Sequence, residues 1–175
     1  MLFGTSTVTS TKAADAKTQL SATDCPSWAP LLESLLAQQH SWFEQLHIYS
    51  DGSSAVSWRA RDATVQWLCA VAGRMHYAID SLSLAVAALD TVLARSTVPP
   101  KYMECMGVAC LFLAVKVCEE LDSVPAVPQL LRSMHAVYSC TELHRMERAV
   151  LAKLNWDLAL PTVQRFLHLV GATAF

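Results

Sequence analysis

The run "MECMGVACLFLAVKVCEE", residues 103–120, limits what this chain can fold into more than any other stretch. From Met103 to Val115 it is apolar nearly all round, the pattern of a helix enclosed by other helices. Its longest uninterrupted apolar stretch, Cys105 to Val115, is about half of what a bilayer crossing requires. It therefore belongs at the centre of a fold, where neighbouring helices cover every face. The run then ends in a lysine, Lys116, followed by two acids, Glu119 and Glu120, and those charges need an explanation of their own.

The covering helices are legible on either side. From Pro30, "LLESLLAQQHSWFEQL" sets Leu31, Leu32, Leu35, Leu36, Trp42, Phe43 and Leu46 at helical spacing. This predicts an amphipathic N-terminal helix within residues 28–50, stopped by the turn signal Ser50-Asp51-Gly52-Ser53. Ser57 reads as the cap of "WRARDATVQWLCAVAGRMHY", with Arg61, Val65, Leu68, Ala72 and Met75 along one side. Ser81 starts "LSLAVAALDTVLAR", which Pro99-Pro100 separates from the central run. Beyond Pro125 and Pro128 a short helix is expected near Gln129 to His135. Ser139 and Glu142 make a capping box for "ELHRMERAVLAKL", and Asn155 closes that helix in a left-handed conformation. No stretch alternates as a strand would, so the fold class is all-α. It reads as a bundle of five helices about one buried central helix over residues 55–160, preceded by the N-terminal helix. Residues 1–27, rich in Ser, Thr, Ala and Lys, read as a flexible tail.

A chain of 175 residues fits one domain and at this size buries roughly 70% of its unfolded surface. With 53% hydrophobic and 16% charged residues, and a mean hydropathy of +0.31, it is greasier than an average soluble domain. Such a chain either buries an unusual amount or keeps an apolar face for a partner. A net charge of -2 without a lysine or arginine cluster leaves out nucleic acid as the main ligand. Cys25, Cys69, Cys105, Cys110, Cys118 and Cys140 form no C-x-x-C pair and no zinc-like spacing, and read as small core residues of a reducing compartment. The opening "MLFGTSTVTSTK" has neither a basic n-region nor an apolar h-region, so no secretory signal and no membrane association is expected. The expectation is an intracellular protein of the nucleus or cytoplasm.

Catalysis finds little support. The six histidines are scattered, there are only five glycines, and neither an H-E-x-x-H motif nor a phosphate loop occurs. His144 and Glu147 stand at i, i+3, as half of a carboxylate metal site would, but the further Glu and His partners of a di-iron bundle are missing. No metal, no cofactor and no small-molecule substrate is therefore expected. Trp42, Trp67 and Trp156 read as packing residues rather than as base-stacking platforms.

Two charges sit on apolar stripes. Lys116 shares its stripe with Ala109, Phe112 and Leu113, while Glu147 has Leu143, His144, Val150 and Leu151 as its i±3 and i±4 neighbours. A half-buried charge without a partner is strongly destabilising. In one arrangement the two helices pack side by side and Lys116 meets Glu147 at a water-accessible rim. In the other, Lys116 snorkels to solvent and Glu147 tilts outward, each separately hydrated. Periodicity alone leaves both open.

In order from Arg61 to Trp156, "RDATVQWL", "LAVAALDTVLA", "MGVACLFLAVKVCEE" and "RMERAVLAKLNWDL" resemble the cyclin box, the five-helix module by which cyclins bind and activate protein kinases. The first and last phrases are most similar to the atypical cyclins of the I and G type. The resemblance implies a heterodimer with a cyclin-dependent protein kinase, whose active conformation the chain would favour. It gives Lys116 and Glu147 the role of the kinase-contacting lysine and glutamate, with Phe112, Glu119, Glu120 and Leu143 around them. Arg61 and Asp90 match the family's internal pair, which ties the first box helix to the second. The substrate-docking patch that many cyclins carry as M-R-A-I-L is eroded to Ala60, Arg61, Asp62, Ala63 and Thr64. Only the arginine and the later Trp67 are kept, so no substrate recruitment is expected there. Residues 161–175 would be the start of a truncated second repeat or a C-terminal tail. The other reading is a cyclin-fold scaffold or competitor that activates no kinase.

Overall fold

The structure is a computed structural model and describes residues 28–47 and 58–173. The flexible tail expected over 1–27, the turn at 50–53 and the cap at Ser57 lie outside them. Among the described residues the fold is all-helical. The helices are α1 (Trp28–His47), α2 (Trp58–Met75), α3 (Ile79–Arg95), α4 (Met103–Cys118), α5 (Val127–Ser133), α6 (Cys140–Lys153) and α7 (Val163–Thr173).

Helix α4 is the axis the sequence requires. Every residue from Cys105 to Val115 is buried, and α2, α3 and α6 pack around it. On the α3 side the small residues Ala85 and Ala88 interleave with Leu84, Leu89 and Val92, all buried, so the two backbones approach closely. On the α2 side the approach depends on Gly107. A Cβ there would lie 2.8 Å from Thr64 Cγ2 and 3.5 Å from Leu68 Cδ1. The buried stripe of α2 is Thr64, Leu68, Val71 and Ala72, with Val65 and Met75 packed at its edge.

Helix ends follow local chemistry. At α6, Ser139 Oγ accepts the Glu142 N–H while the Glu142 side chain accepts the Ser139 N–H, a complete capping box. At its far end Asn155 and Trp156 have φ of 54° and 60°. The Asn155 N–H returns to Ala152 O and the Trp156 N–H to Leu151 O, which satisfies two otherwise orphaned carbonyls. Trp156, expected to pack, is instead exposed, because the left-handed turn carries its side chain off the bundle. The same device closes α2 at His76 and α5 at His135, whose φ values are 57° and 52°. Helix α5 begins before Pro128 rather than after it, since a proline in the first turn lacks only an N–H that has no helical partner.

Helix α1 is seated mainly on α3 and α7. Leu35 is buried, and the Trp42 indole N–H donates to Thr91 Oγ1 at 2.7 Å. Leu31, Leu36 and Phe43 of the expected stripe remain exposed, because this seat is narrower than the stripe. Residues 163–173 form a helix of their own, α7. It is linked to α3 where His168 Nε2 meets Asp80 Oδ1 at 2.9 Å.

Candidate functional site

The packing of α4 against α6 decides between the two arrangements open to Lys116 and Glu147. Lys116 follows directly on the last buried residue of α4, and one turn of α6 separates Glu147 from buried Leu143 and buried Val150. The ammonium of Lys116 donates to Glu147 Oε1. The two are unequally wet, with the lysine side chain 38% exposed and the glutamate side chain 7%. A carboxylate this deep is stable only when both oxygens are bound, and the second is: His144 Nδ1 lies 2.9 Å from Glu147 Oε2. The Lys116 ammonium also stands over the Phe112 ring, 4.0 Å from its centroid. In that position the negative face of the ring attracts it. The result is a chain of contacts, Phe112–Lys116–Glu147–His144, running from core to solvent across two helices.

Two residues expected in a partner contact have other surroundings. Leu143 is fully buried and Phe112 nearly so. Leu143 belongs wholly to this chain's core, since the i, i+4 stripe that brings it near Glu147 also turns it inward. Phe112 acts from beneath, as the ring on which Lys116 rests. The exposed apolar groups that follow Lys116 along the chain are Val117 and Leu121, the latter 89% exposed. No apolar periodicity marks them, so neither was legible from the residue pattern.

Glu119 turns toward its own chain. Its Oε1 accepts the Ala78 N–H at 2.7 Å and the Ser81 hydroxyl at 2.5 Å. The carboxylate thus caps the N-terminus of α3, which starts two residues before Ser81 and has no side-chain cap of its own. This bond fixes the end of α4 one turn beyond Lys116. Glu120 is exposed and starts the short turn Leu121–Ser123.

Arg61 and Asp90 make a two-pronged pair. Arg61 Nε donates to Asp90 Oδ1 at 2.8 Å and its terminal nitrogen to Oδ2 at 2.7 Å, tying α2 to α3. Those hydrogen bonds raise the guanidinium pKa above its usual value against the opposing effect of burial, with a smaller contribution from Asp62. Of the residues expected to form an eroded docking patch, Thr64 is buried with its hydroxyl donated to Ala60 O at 2.9 Å. Ala63, Thr64 and Trp67 line a depression of about 220 Å³ with Glu104, smaller than a typical ligand pocket.

The chain and its fold are similar to known proteins. The profile of the cyclin N-terminal domain covers residues 31–159, so the chain belongs to the cyclin family. Cyclin-G1 of Homo sapiens is 34% identical over 119 residues, which are 68% of this chain and 40% of that protein. Cyclin-G2 of Mus musculus is 33% identical over 117 residues, 67% of this chain and 34% of that protein. Within the family the chain is accordingly an atypical cyclin of the cyclin G type. It spans less than half the length of these curated relatives. In three dimensions it is similar to a viral cyclin from herpesvirus saimiri, with a TM-score of 0.59 and 21% identity over 64% of this chain and 48% of that one. That likeness speaks to the fold.

Proposed function

We propose that this chain is a non-catalytic regulatory subunit that binds a cyclin-dependent protein kinase through the surface around Lys116 and Glu147 and favours the kinase's active conformation. One observation carries the reading: a nearly buried carboxylate and a half-exposed lysine are paired on adjacent helices of a family whose members regulate kinases. Following Lys116 along the chain, Val117 and Leu121 offer exposed apolar area, and burying each against a partner is worth about 1.5–3 kcal/mol. Lys116 would donate to carbonyl oxygens of the kinase, and exposed Glu120 would meet a basic group.

The mechanism is a shift of population. A kinase that is poorly active alone has its ATP-positioning Lys–Glu pair apart. A surface that fits only the assembled arrangement draws the population toward it, and full conversion takes a preference of about 10⁴ for that state. The burial of Phe112 and Leu143 and the cap made by Glu119 support this reading, because they make the presenting surface rigid before it meets a partner.

A second reading, a cyclin-fold scaffold or competitor that activates no kinase, draws on the completeness of the pair. Both oxygens of Glu147 already have partners within the chain, as in a purely structural ion pair. The test is affinity capture from cell extract with the wild type beside the charge-swapped Lys116→Glu, Glu147→Lys double variant, with identification of bound proteins and assay of kinase activity. The swap keeps opposite charges paired within the chain but reverses what a partner meets. An active cyclin-dependent kinase on the wild type alone bears the proposal out. Identical partners on both, without a kinase, would move the function to the scaffold.

A further inference from the structure

The same completeness points to a regulated site. Glu147 is covered as well as paired: its side chain is only 7% exposed, with Lys116 on Oε1 and His144 on Oε2. A partner's N–H can therefore reach this carboxylate only by displacing one of the two. They are held unequally. Lys116 is fixed on two sides, by the carboxylate and by the Phe112 ring beneath it. The imidazole of His144 is 53% exposed, and the contact with Glu147 is what holds it over the site. Helix α6, closed at both ends by its own caps, keeps Glu147 in place while His144 leaves.

We propose that His144 is a gate on Glu147. In the free chain its Nδ1–H fills Oε2 and keeps a nearly buried carboxylate satisfied. On binding, the ring swings to solvent and a donor of the partner takes its place. The chemistry of the site selects that donor. It is an N–H group, from a backbone amide, an amide side chain or a guanidinium, with no carboxylate beside it, since a second anion would face Glu147. The gate rests on the kinase-binding reading and adds to it a self-contact that the partner has to break, which makes His144 a specificity-determining residue rather than a mere neighbour.

The sign of one substitution separates a gate from a contact. His144→Ala removes the competing donor at an exposed helical position that alanine suits; it also leaves Oε2 without that donor in the free chain, so its helical content is first checked against the wild type by circular dichroism. Its affinity for the purified kinase recovered by the wild type rises about two- to tenfold, the worth of one hydrogen bond not broken. His144→Gln retains an N–H donor at the same i, i+3 spacing and stays near the wild type. Weaker or unchanged binding by His144→Ala overturns the gate while leaving the kinase reading intact. In the free chain, long-range proton–nitrogen correlation at mildly alkaline pH finds the His144 proton on Nδ1; a proton on Nε2 overturns the lock that the gate needs. A wild type that binds no kinase sinks the function itself, and the gate falls with it.

Discussion

Removing the Glu119 carboxylate tests whether the end of α4 is held by the start of α3. In the folded chain one oxygen accepts both the Ala78 N–H and the hydroxyl of Ser81, and Ser81 is completely buried. Glu119→Ala leaves that hydroxyl without its strongest acceptor, a loss of about 1 kcal/mol at the low end for a buried polar group. The lost cap on α3 adds about 1 kcal/mol. Together the loss is about 2 kcal/mol, or roughly 4–8 °C in Tm for a domain of this size. Glu119→Gln keeps an oxygen at the same place and loses only the charge facing the helix terminus, roughly 0.5 kcal/mol. The assay is urea unfolding followed by circular dichroism, with Ser81→Ala and the double variant completing a cycle. Ser81→Ala removes the stranded hydroxyl, so in that background Glu119→Ala costs about half as much. Glu119→Gln as damaging as Glu119→Ala, or a loss under about 0.5 kcal/mol for Glu119→Ala, refutes the capping account.

Three further outcomes follow from the same contacts. Gly107→Ala is destabilising by about 1–2 kcal/mol, because the clash with Thr64 Cγ2 outweighs the better helix propensity of alanine; combined with Thr64→Ser, which removes the clashing methyl, it becomes nearly neutral in the same unfolding assay. Burial pushes the Cys110 thiol up to about 12 and the Cys105 thiol up to about 11, so a maleimide at neutral pH labels exposed Cys69 in the native chain and reaches Cys105 and Cys110 only after unfolding, as peptide mapping will read. The Ser139 backbone and side-chain hydrogen bonds hold the Glu142 carboxyl below its ordinary value of 4.5. The stability this residue adds is therefore complete above that pH and is lost as the pH falls through the lower folded-state value. An acid titration of α-helical signal shows it, and Glu142→Gln flattens that part of the curve.

How much of this the sequence carried depended on the range of the interaction. The central helix was legible because a run apolar on every side has only one stable position. Lys116 and Glu147 were conspicuous because charges on apolar stripes demand partners, although periodicity could not say that they partner each other. The capping box of α6 is written within four residues. Glu119 was opaque for the opposite reason: its partner is a backbone N–H on another helix, and no residue type marks such a donor. Ser81 was read as the start of α3, whereas its hydroxyl is a donor to a cap that arrives from α4. Leu143 is buried where a partner contact was expected, and Leu121 is exposed without any expectation attached to it, since an i, i+4 stripe identifies a face but a residue in the turn after a helix is placed by the chain's exit from the bundle. The exposed stripe of α1 shows the same limit, for its burial depends on how wide a seat α3 and α7 provide.

The most direct measurement is calorimetric titration of purified cyclin-dependent kinases into this chain and into its folded Lys116→Glu, Glu147→Lys variant, with phosphotransfer assayed on each mixture. At least one kinase is expected to bind the wild type and gain activity, while the charge-swapped chain, with unchanged helical content, neither binds nor activates it. Equal binding by both chains, or none by the wild type across the kinases, would contradict that expectation.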